Sequence, residues 1–182
     1  MSSQPPERCY LGLGSNIASP CRQLAAAVAD IATSPGLTLL RVSPVYRTAP
    51  MGYTDQPDFF NIVVEVRCSH TPEALLQILQ DIERQQKRRR PFPNAPRTID
   101  IDILLCEHSV RGRPELTIPH PRMHKRQFVL VPLHEIAPGL HLPDGTPVEA
   151  VVQPDCGEVT RIGPLAQAHI LRGGTEEDDD VQ

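Results

Sequence analysis

Residues 97–104 read Arg-Thr-Ile-Asp-Ile-Asp-Ile-Leu. This alternation has the period of an extended strand: Ile99, Ile101 and Ile103 share one face, while Asp100 and Asp102 share the other. At a rise of roughly 3.3 Å per residue the two carboxylates stand roughly 7 Å apart at their Cα atoms. Like charges side by side on a strand repel, and aspartate has poor strand propensity. Such a pair persists most simply with a hard cation between its members. Magnesium suits it better than calcium, because two carboxylates leave room for waters and phosphate oxygens. The plainer alternative is an exposed edge strand that carries aspartate at alternate positions.

The rest of the chain supplies partners for that strand. An apolar run at 9–13 has β character and breaks at Gly14-Ser15-Asn16. Ser19-Pro20 then gives an N-cap followed by proline, and Leu24, Ala25, Val28, Ile31 and Ala32 recur at helical spacing up to Pro35-Gly36. Residues 37–46 read as one strand whose end, at Pro44, belongs at an edge or bulge. The polar stretch 47–58 is too long for a tight hairpin, and long structured loops in small domains often carry function. A strand follows from Phe59 to Arg67, then Thr71-Pro72 opens a second helix with Leu75, Ile78, Leu79 and Ile82 on one face. That helix runs into Lys87-Arg88-Arg89-Arg90.

The order strand, helix, strand, strand, helix, strand is that of an α+β, ferredoxin-like antiparallel sheet with helices packed on one face. Further along, 116–121 and 128–133 are apolar enough for another strand or a short helix, and 142–145 reads as a turn. One folded domain is expected over 8–162, with 163–182 as a disordered acidic tail.

Charge narrows the function. The 18 Lys and Arg oppose 22 Asp and Glu, but five of those acids form the run Glu176–Asp180. Without the run the balance is 18 against 17, so bulk charge argues against a nucleic-acid or membrane-surface binder. Cys9, Cys21, Cys68, Cys106 and Cys156 show no metal-ligand rhythm and read as free thiols of a reducing compartment. No apolar run approaches the roughly 20 residues of a membrane span, and residues 1–8 lack a secretory signal. A cytoplasmic protein follows from these readings; a monomer is expected, although nothing in them fixes the oligomeric state.

A second chemical feature precedes the aspartates. Arg84, Lys87, Arg88, Arg89, Arg90 and Arg97 fall in a stretch with no acid. Arginine forks match phosphate oxygens, although a solvated helix end looks the same in isolation. Placed just before a carboxylate pair suited to Mg²⁺, they give the parts of nucleotide phosphoryl transfer. Two signals are weaker. Gly12-Leu13-Gly14-Ser15-Asn16 lacks the later residues of any phosphate loop and reads as a turn that packs. His120, between Pro119 and Pro121, could touch a ligand or cap a turn.

Several segments together are similar to the 6-hydroxymethyl-7,8-dihydropterin pyrophosphokinases of folate biosynthesis. They are Thr48-Ala49-Pro50-Met51-Gly52, Gln56-Pro57-Asp58-Phe59-Phe60-Asn61, Glu83 with Arg88 and Arg90, Pro96 to Asp102, Ile118-Pro119-His120-Pro121, and Arg126 to Leu130. The resemblance runs from about Tyr10 to Gly145. It implies that Asp100 and Asp102 hold two magnesium ions bridging ATP, and that Arg88 and Arg97 close over the triphosphate and assist transfer. Gln80, Glu83, Arg90, Ile103, His120 and Arg126 are implied as nucleotide contacts. Phe59 and Phe128 are implied as the aromatic sandwich for the pterin. Asn61 would read the pterin edge, with Thr48, Ala49 and Met51 adding backbone contacts. The implied reaction is attack of the pterin hydroxymethyl oxygen on the β-phosphorus of ATP, with AMP leaving. Lys87 stands where the family usually has glycine, the 90–97 loop is slightly short, and Asn94 falls near a position that is tryptophan in some members.

Two rival readings are less well supported. A ferredoxin-like RNA-binding module would carry base-stacking aromatics in a Lys/Arg-Gly-Phe motif, yet only 4% of residues are aromatic and the motif is missing. A Mg²⁺-dependent phosphohydrolase or nuclease could use the same aspartates, but has no need of an aromatic pair with an amide reader.

Overall fold

The computed structural model describes residues 4–17, 19–86, 98–153, 156 and 158–165. The core motif is β1 (Glu7–Ser15), α1 (Pro20–Thr33), β2 (Leu37–Val42), β3 (Val45–Thr48), β4 (Phe59–Cys68), α2 (Pro72–Gln85) and β5 (Asp100–Cys106). A hairpin of β6 (Arg111–Arg113) and β7 (Leu116–Ile118) follows, then α3 (Gln127–Ile136), the short α4 (Val148–Val151) and β8 (Val159–Gly163).

The main sheet runs β5-β1-β4-β3-β8, with β2 also pairing β4, and every described pairing is antiparallel. Each helix-linked pair of strands straddles a third: α1 carries the chain from β1 past β4, and α2 carries it from β4 past β1. This is the ferredoxin-like α+β arrangement expected from the element order. Leu24, Ala27 and Ile31 of α1 and Leu75, Leu79 and Ile82 of α2 pack on Leu11, Leu13, Ile62, Val64, Ile101 and Ile103. A fully buried side chain of this kind contributes ~1.5–3 kcal/mol, against ~0–1 kcal/mol for an exposed ion pair, so this layer sets the frame. Thr71 caps α2 as expected, its Oγ1 accepting from the Ala74 amide at 3.2 Å. Ser19 does not cap α1: it takes a left-handed conformation, φ 59°, and makes no side-chain cap bond.

Three expectations need correction. The strand expected over 37–46 is two strands on the same edge of β4, divided at Ser43-Pro44. Proline offers no amide to a ladder; Ser43 spans the break, its amide donating to the Val63 carbonyl and its Oγ accepting from the Val63 amide, both at 2.9 Å. The sheet is covered on both faces, because 127–136 is a helix: Met123, Leu130 and Leu133 pack on Tyr10, Val63 and Leu104. Finally, Gly12, Gly14 and Ser15 lie within β1 and are not a turn. The strand β8, which extends the sheet beyond β3, has no counterpart in the sequence reading. The tail expected from 163 falls largely on 166–182, outside the described residues. Among the described residues no helix is long and apolar enough to cross a membrane.

Candidate active site

On the α3 side of the sheet, register builds two rows. Asp100 pairs with Gly14 and Gly14 with Asn61; Asp102 pairs with Gly12 and Gly12 with Val63. The aspartates therefore stand on one side of β1 and Asn61 on the other, with two glycines between. Those glycines leave a trough that a larger residue would fill. A Cβ on Gly14 would come within 2.8 Å of Asn61 Oδ1, and one on Gly12 within 3.2 Å of Leu104 Cδ2. The trough floors a cleft of about 450 Å³. β5 is an edge strand, as the plainer sequence reading had it, yet both aspartates line this cleft.

The cleft gathers most of the residues picked out in the sequence: Thr48, Ala49, Met51, Phe59 and Asn61 on one side, Asp100, Asp102, His120, Arg126 and Phe128 on the other. A smaller adjoining cavity of about 230 Å³ holds Ile103 with Leu76, Thr117 and Pro121, and shares Asp102 and His120 with the first. Gln80 is exposed on α2 and lines neither cavity. Glu83 is buried, 8% exposed, and its Oε1 accepts from the Ile101 amide at 2.8 Å. Arg88, Arg90 and Arg97, with Lys87 and Asn94, lie outside the described residues.

Several bonds fix the geometry. Asn61 Nδ2 donates to Thr48 Oγ1 at 3.0 Å, which orients the amide with Oδ1 over Gly14. Asn16 Nδ2 donates to Gln56 Oε1 at 2.8 Å and to the Pro57 carbonyl at 3.0 Å, tying the end of β1 to the loop before β4. The Ser15 hydroxyl donates to the Thr98 carbonyl, which fastens the same strand end to the start of β5.

Charge is organised on the opposite wall. The Arg126 guanidinium lies 5.6 Å from the centre of the Phe128 ring, a cation–π distance. Burial lowers the Arg126 pKa, and Asp102 and Asp100 oppose that shift. The guanidinium stays charged regardless, since arginine titrates far above neutrality. Burial first, then Arg126 and Arg122, push His120 below the ordinary histidine value. Its Nδ1 accepts from the Arg122 amide at 3.1 Å, so the neutral ring carries its proton on Nε2. Its own amide donates to the Leu104 carbonyl at 2.6 Å, seating it beside β5.

Sequence reasoning missed Gly12, Gly14, Arg122, Leu76 and Thr117 as lining residues. Gly12 and Gly14 were accessible to it, because glycine at alternate strand positions clears one face just as Asp100 and Asp102 charge one. The others needed the β6–β7 hairpin and α3 to be placed.

Carboxylates and a guanidinium beside an aromatic side chain and an amide, on a ferredoxin-like frame, are groups suited to a kinase-type transferase. Residues 10–138 match the sequence model of the 7,8-dihydro-6-hydroxymethylpterin-pyrophosphokinase family, HPPK. The chain belongs to that family, and is an enzyme of pyrophosphoryl transfer. It is 44% identical over 139 residues to the 2-amino-4-hydroxy-6-hydroxymethyldihydropteridine pyrophosphokinase of Pseudomonas aeruginosa, spanning 76% of this chain and 86% of that protein. With the enzyme of the same name from Methylorubrum extorquens it shares 41% identity over 155 residues, covering 85% of this chain and 98% of the relative. Among solved structures, an HPPK-DHPS of Plasmodium falciparum superposes with a TM-score of 0.67 at 14% identity, covering 88% of this chain. That likeness bears on the fold, and this chain spans about half (49%) of the HPPK-DHPS chain.

Proposed function

We propose that the protein transfers pyrophosphate from MgATP to the hydroxymethyl group of 6-hydroxymethyl-7,8-dihydropterin, releasing AMP, as a cytoplasmic monomer of the folate pathway whose catalytic domain spans 8–162. The observation that carries this reading is the pairing Asp100–Gly14–Asn61 across three strands. Strands lie ~4.8 Å apart, so the carboxylate and the amide stand ~10 Å apart at their backbones, on a floor without side chains. A flat ring held at Asn61 extends its substituent over Gly14 towards the aspartates.

The pterin side is built for a heterocycle with an amide edge. Asn61 Oδ1 accepts from the ring and the second Nδ2 hydrogen donates to it, while Thr48 holds the first. Phe59 and Phe128 face the ring's two sides, and Thr48, Ala49 and Met51 close one margin through their backbone. Dehydration of this pocket makes every unpaired polar atom costly, which gives the site its choice of ring.

The phosphate side fits magnesium. Asp100 and Asp102 are carboxylates on one face of one strand, the donor set a hard cation takes together with water and phosphate oxygens. Asp100 and Asp102 would hold two Mg²⁺, which would supply charge neutralisation for the triphosphate. Arg126 and the Nε2–H of His120 meet phosphate oxygens. The nucleoside runs into the smaller cavity beside Ile103, with Gln80, Glu83 and Arg90 as further nucleotide contacts; Arg88 and Arg97 meet the charge that develops in transfer. The hydroxymethyl oxygen bonds to the β-phosphorus, the bond from that phosphorus to the α–β bridging oxygen breaks, and the hydroxyl proton is released.

The test is product analysis. Incubation of the protein with MgATP and the pterin should yield AMP one for one with pterin consumed. ADP in place of AMP, or nucleotide turnover independent of the pterin, refutes the proposal.

A further inference from the structure

Away from the cleft, at the opposite end of β1 and β5, three ligating side chains converge. We propose that Glu7, Cys9 and Cys106 form a binding site for a thiophilic divalent cation of the zinc type, independent of the magnesium that serves ATP. Their ligand atoms all lie within 4.8 Å of one another, and the residues are 5%, 2% and 8% exposed.

The sheet dictates the convergence. Cys9 on β1 is directly opposite Cys106 on β5, and Glu7 sits two residues before Cys9 on the same face. Glu7 is already held as metal-binding carboxylates are, by donors that do not themselves ligate. Its Oε2 accepts from the amides of His108 at 2.8 Å and Ser109 at 3.1 Å, and its Oε1 accepts from the Ser109 hydroxyl. Cys68 lies opposite Glu7 on β4 and accepts from the His70 amide at 3.4 Å.

The chemistry separates this site from the aspartate pair. Two sulfurs with one carboxylate select zinc over magnesium, which asks for oxygen alone. Without a cation, the hydrogen bond to Cys106 and then burial push the Cys9 thiol up. Loading breaks two S–H bonds, forms two S–metal bonds and sends two protons to solvent, with no change of oxidation state. Two thiolates and a carboxylate leave one negative charge uncompensated by a divalent ion. The Arg111 guanidinium, paired with Glu73 at 2.6 Å, also lies within electrostatic reach of Glu7 and Cys106. Such a site staples the start of β1 to the end of β5, the two strands that carry Gly12, Gly14, Asp100 and Asp102 at their far ends.

The experiment titrates the reduced, chelator-treated full chain with Co²⁺ and then Zn²⁺, in excess Mg²⁺ to occupy oxygen sites. One equivalent of Co²⁺ should give a thiolate-to-cobalt charge-transfer band that Zn²⁺ bleaches, with two protons released. Cys9→Ser and Cys106→Ser should lose the band and bind Zn²⁺ ~100-fold or more weakly. Ser109→Ala, which removes a donor to Glu7, should weaken binding about tenfold. Cys156→Ser, at an exposed position, should change nothing. A melting curve guards against a folding defect: Zn²⁺ should raise the melting temperature of the native chain and not that of a folded Cys106→Ser variant. A reduced, folded native chain without the band overturns the proposal, as does undiminished Zn²⁺ binding in both serine variants.

Discussion

Glu83 on α2 accepts the backbone N–H of Ile101, the residue between Asp100 and Asp102, at 2.8 Å. A buried helix carboxylate thus holds the strand at the point where both aspartates leave it. Glu83→Ala would strand the Ile101 amide, at a cost of ~1–3 kcal/mol, and loosen the spacing of the pair. Glu83→Gln keeps an acceptor and should recover most of that stability. Urea denaturation of both variants, with MgATP affinity measured alongside, checks this. Equal stability of the alanine and glutamine forms would mean that the bond does not hold the strand.

The aspartates themselves should matter to ligand and little to fold. Asp100→Ala and Asp102→Ala each relieve repulsion within the pair but remove a charge facing Arg126. These effects oppose, so stability should stay within ~0.5 kcal/mol of the native chain. Turnover should be abolished and MgATP binding should collapse, because the cation loses a ligand that aligns the phosphates. Unfolded variants would assign the pair a structural role.

The Gly14 floor gives a sharper probe of geometry. A methyl there meets Asn61 Oδ1 at 2.8 Å, closer than real contacts allow, and β1 is held by its ladders to β4 and β5. Gly14→Ala should turn the Asn61 amide out of place and weaken pterin binding by about 10–100-fold, a ~1.4–2.8 kcal/mol effect. MgATP binding to the free enzyme should change little. Calorimetry with each ligand separates the two; parallel losses would show that the whole sheet end has shifted.

What the sequence made legible follows its periodicities. The alternation at 99–103 located β5 and put Asp100 and Asp102 on one face, and the alternation at 59–61 put Phe59 and Asn61 together. Two proline-started helices with apolar stripes supplied the frame. What was hidden had no period of its own. Residues 128–133 are apolar without a clear face, because α3 buries nearly its whole length against the sheet, Pro132 included. The strand β8 is short and half-exposed, with little alternation to show. Ser43 bridges two strands through its hydroxyl, which no propensity scale reports. Glu83 entered the sequence reading only through the family resemblance, as a nucleotide contact, and its bond to the Ile101 amide had no sequence signal.

A pH effect should appear on the side of the sheet where β3 meets β8. The Tyr46 hydroxyl donates to Glu135 Oε1 at 2.7 Å, and Arg161 Nε holds the same oxygen at 2.9 Å. Burial first, then Glu135, raises the Tyr46 pKa from 10.0 to about 12. A folded value above the unfolded one stabilises fully below pH 10 and is lost as pH rises through about 12. Tyr46→Phe should therefore be ~1 kcal/mol less stable near neutrality. Between pH 10 and 12 the native chain should lose that advantage and the two curves converge. Denaturant midpoints across that range test it; curves that stay parallel would remove Tyr46 from the linkage.

The choice of pterin should rest on Asn61 and on the hydroxyl that orients it. Asn61 is 7% exposed, and its Nδ2 is fixed by Thr48 Oγ1 at 3.0 Å. Asn61→Leu keeps the size and removes both polar partners, so ring groups would be buried unpaired at roughly 1–3 kcal/mol each. Pterin affinity should fall by about ten- to hundredfold or more, with MgATP binding to the free enzyme little changed. Thr48→Val is the more discriminating variant. It leaves Asn61 in place and removes only the acceptor that orients the amide, so the loss should be smaller, about tenfold or less. Combining the two should cost no more than Asn61→Leu alone, because Thr48 then has no amide left to hold. Calorimetry on the three variants measures this directly. Additive losses would mean that Thr48 meets the pterin through its own hydroxyl rather than through Asn61.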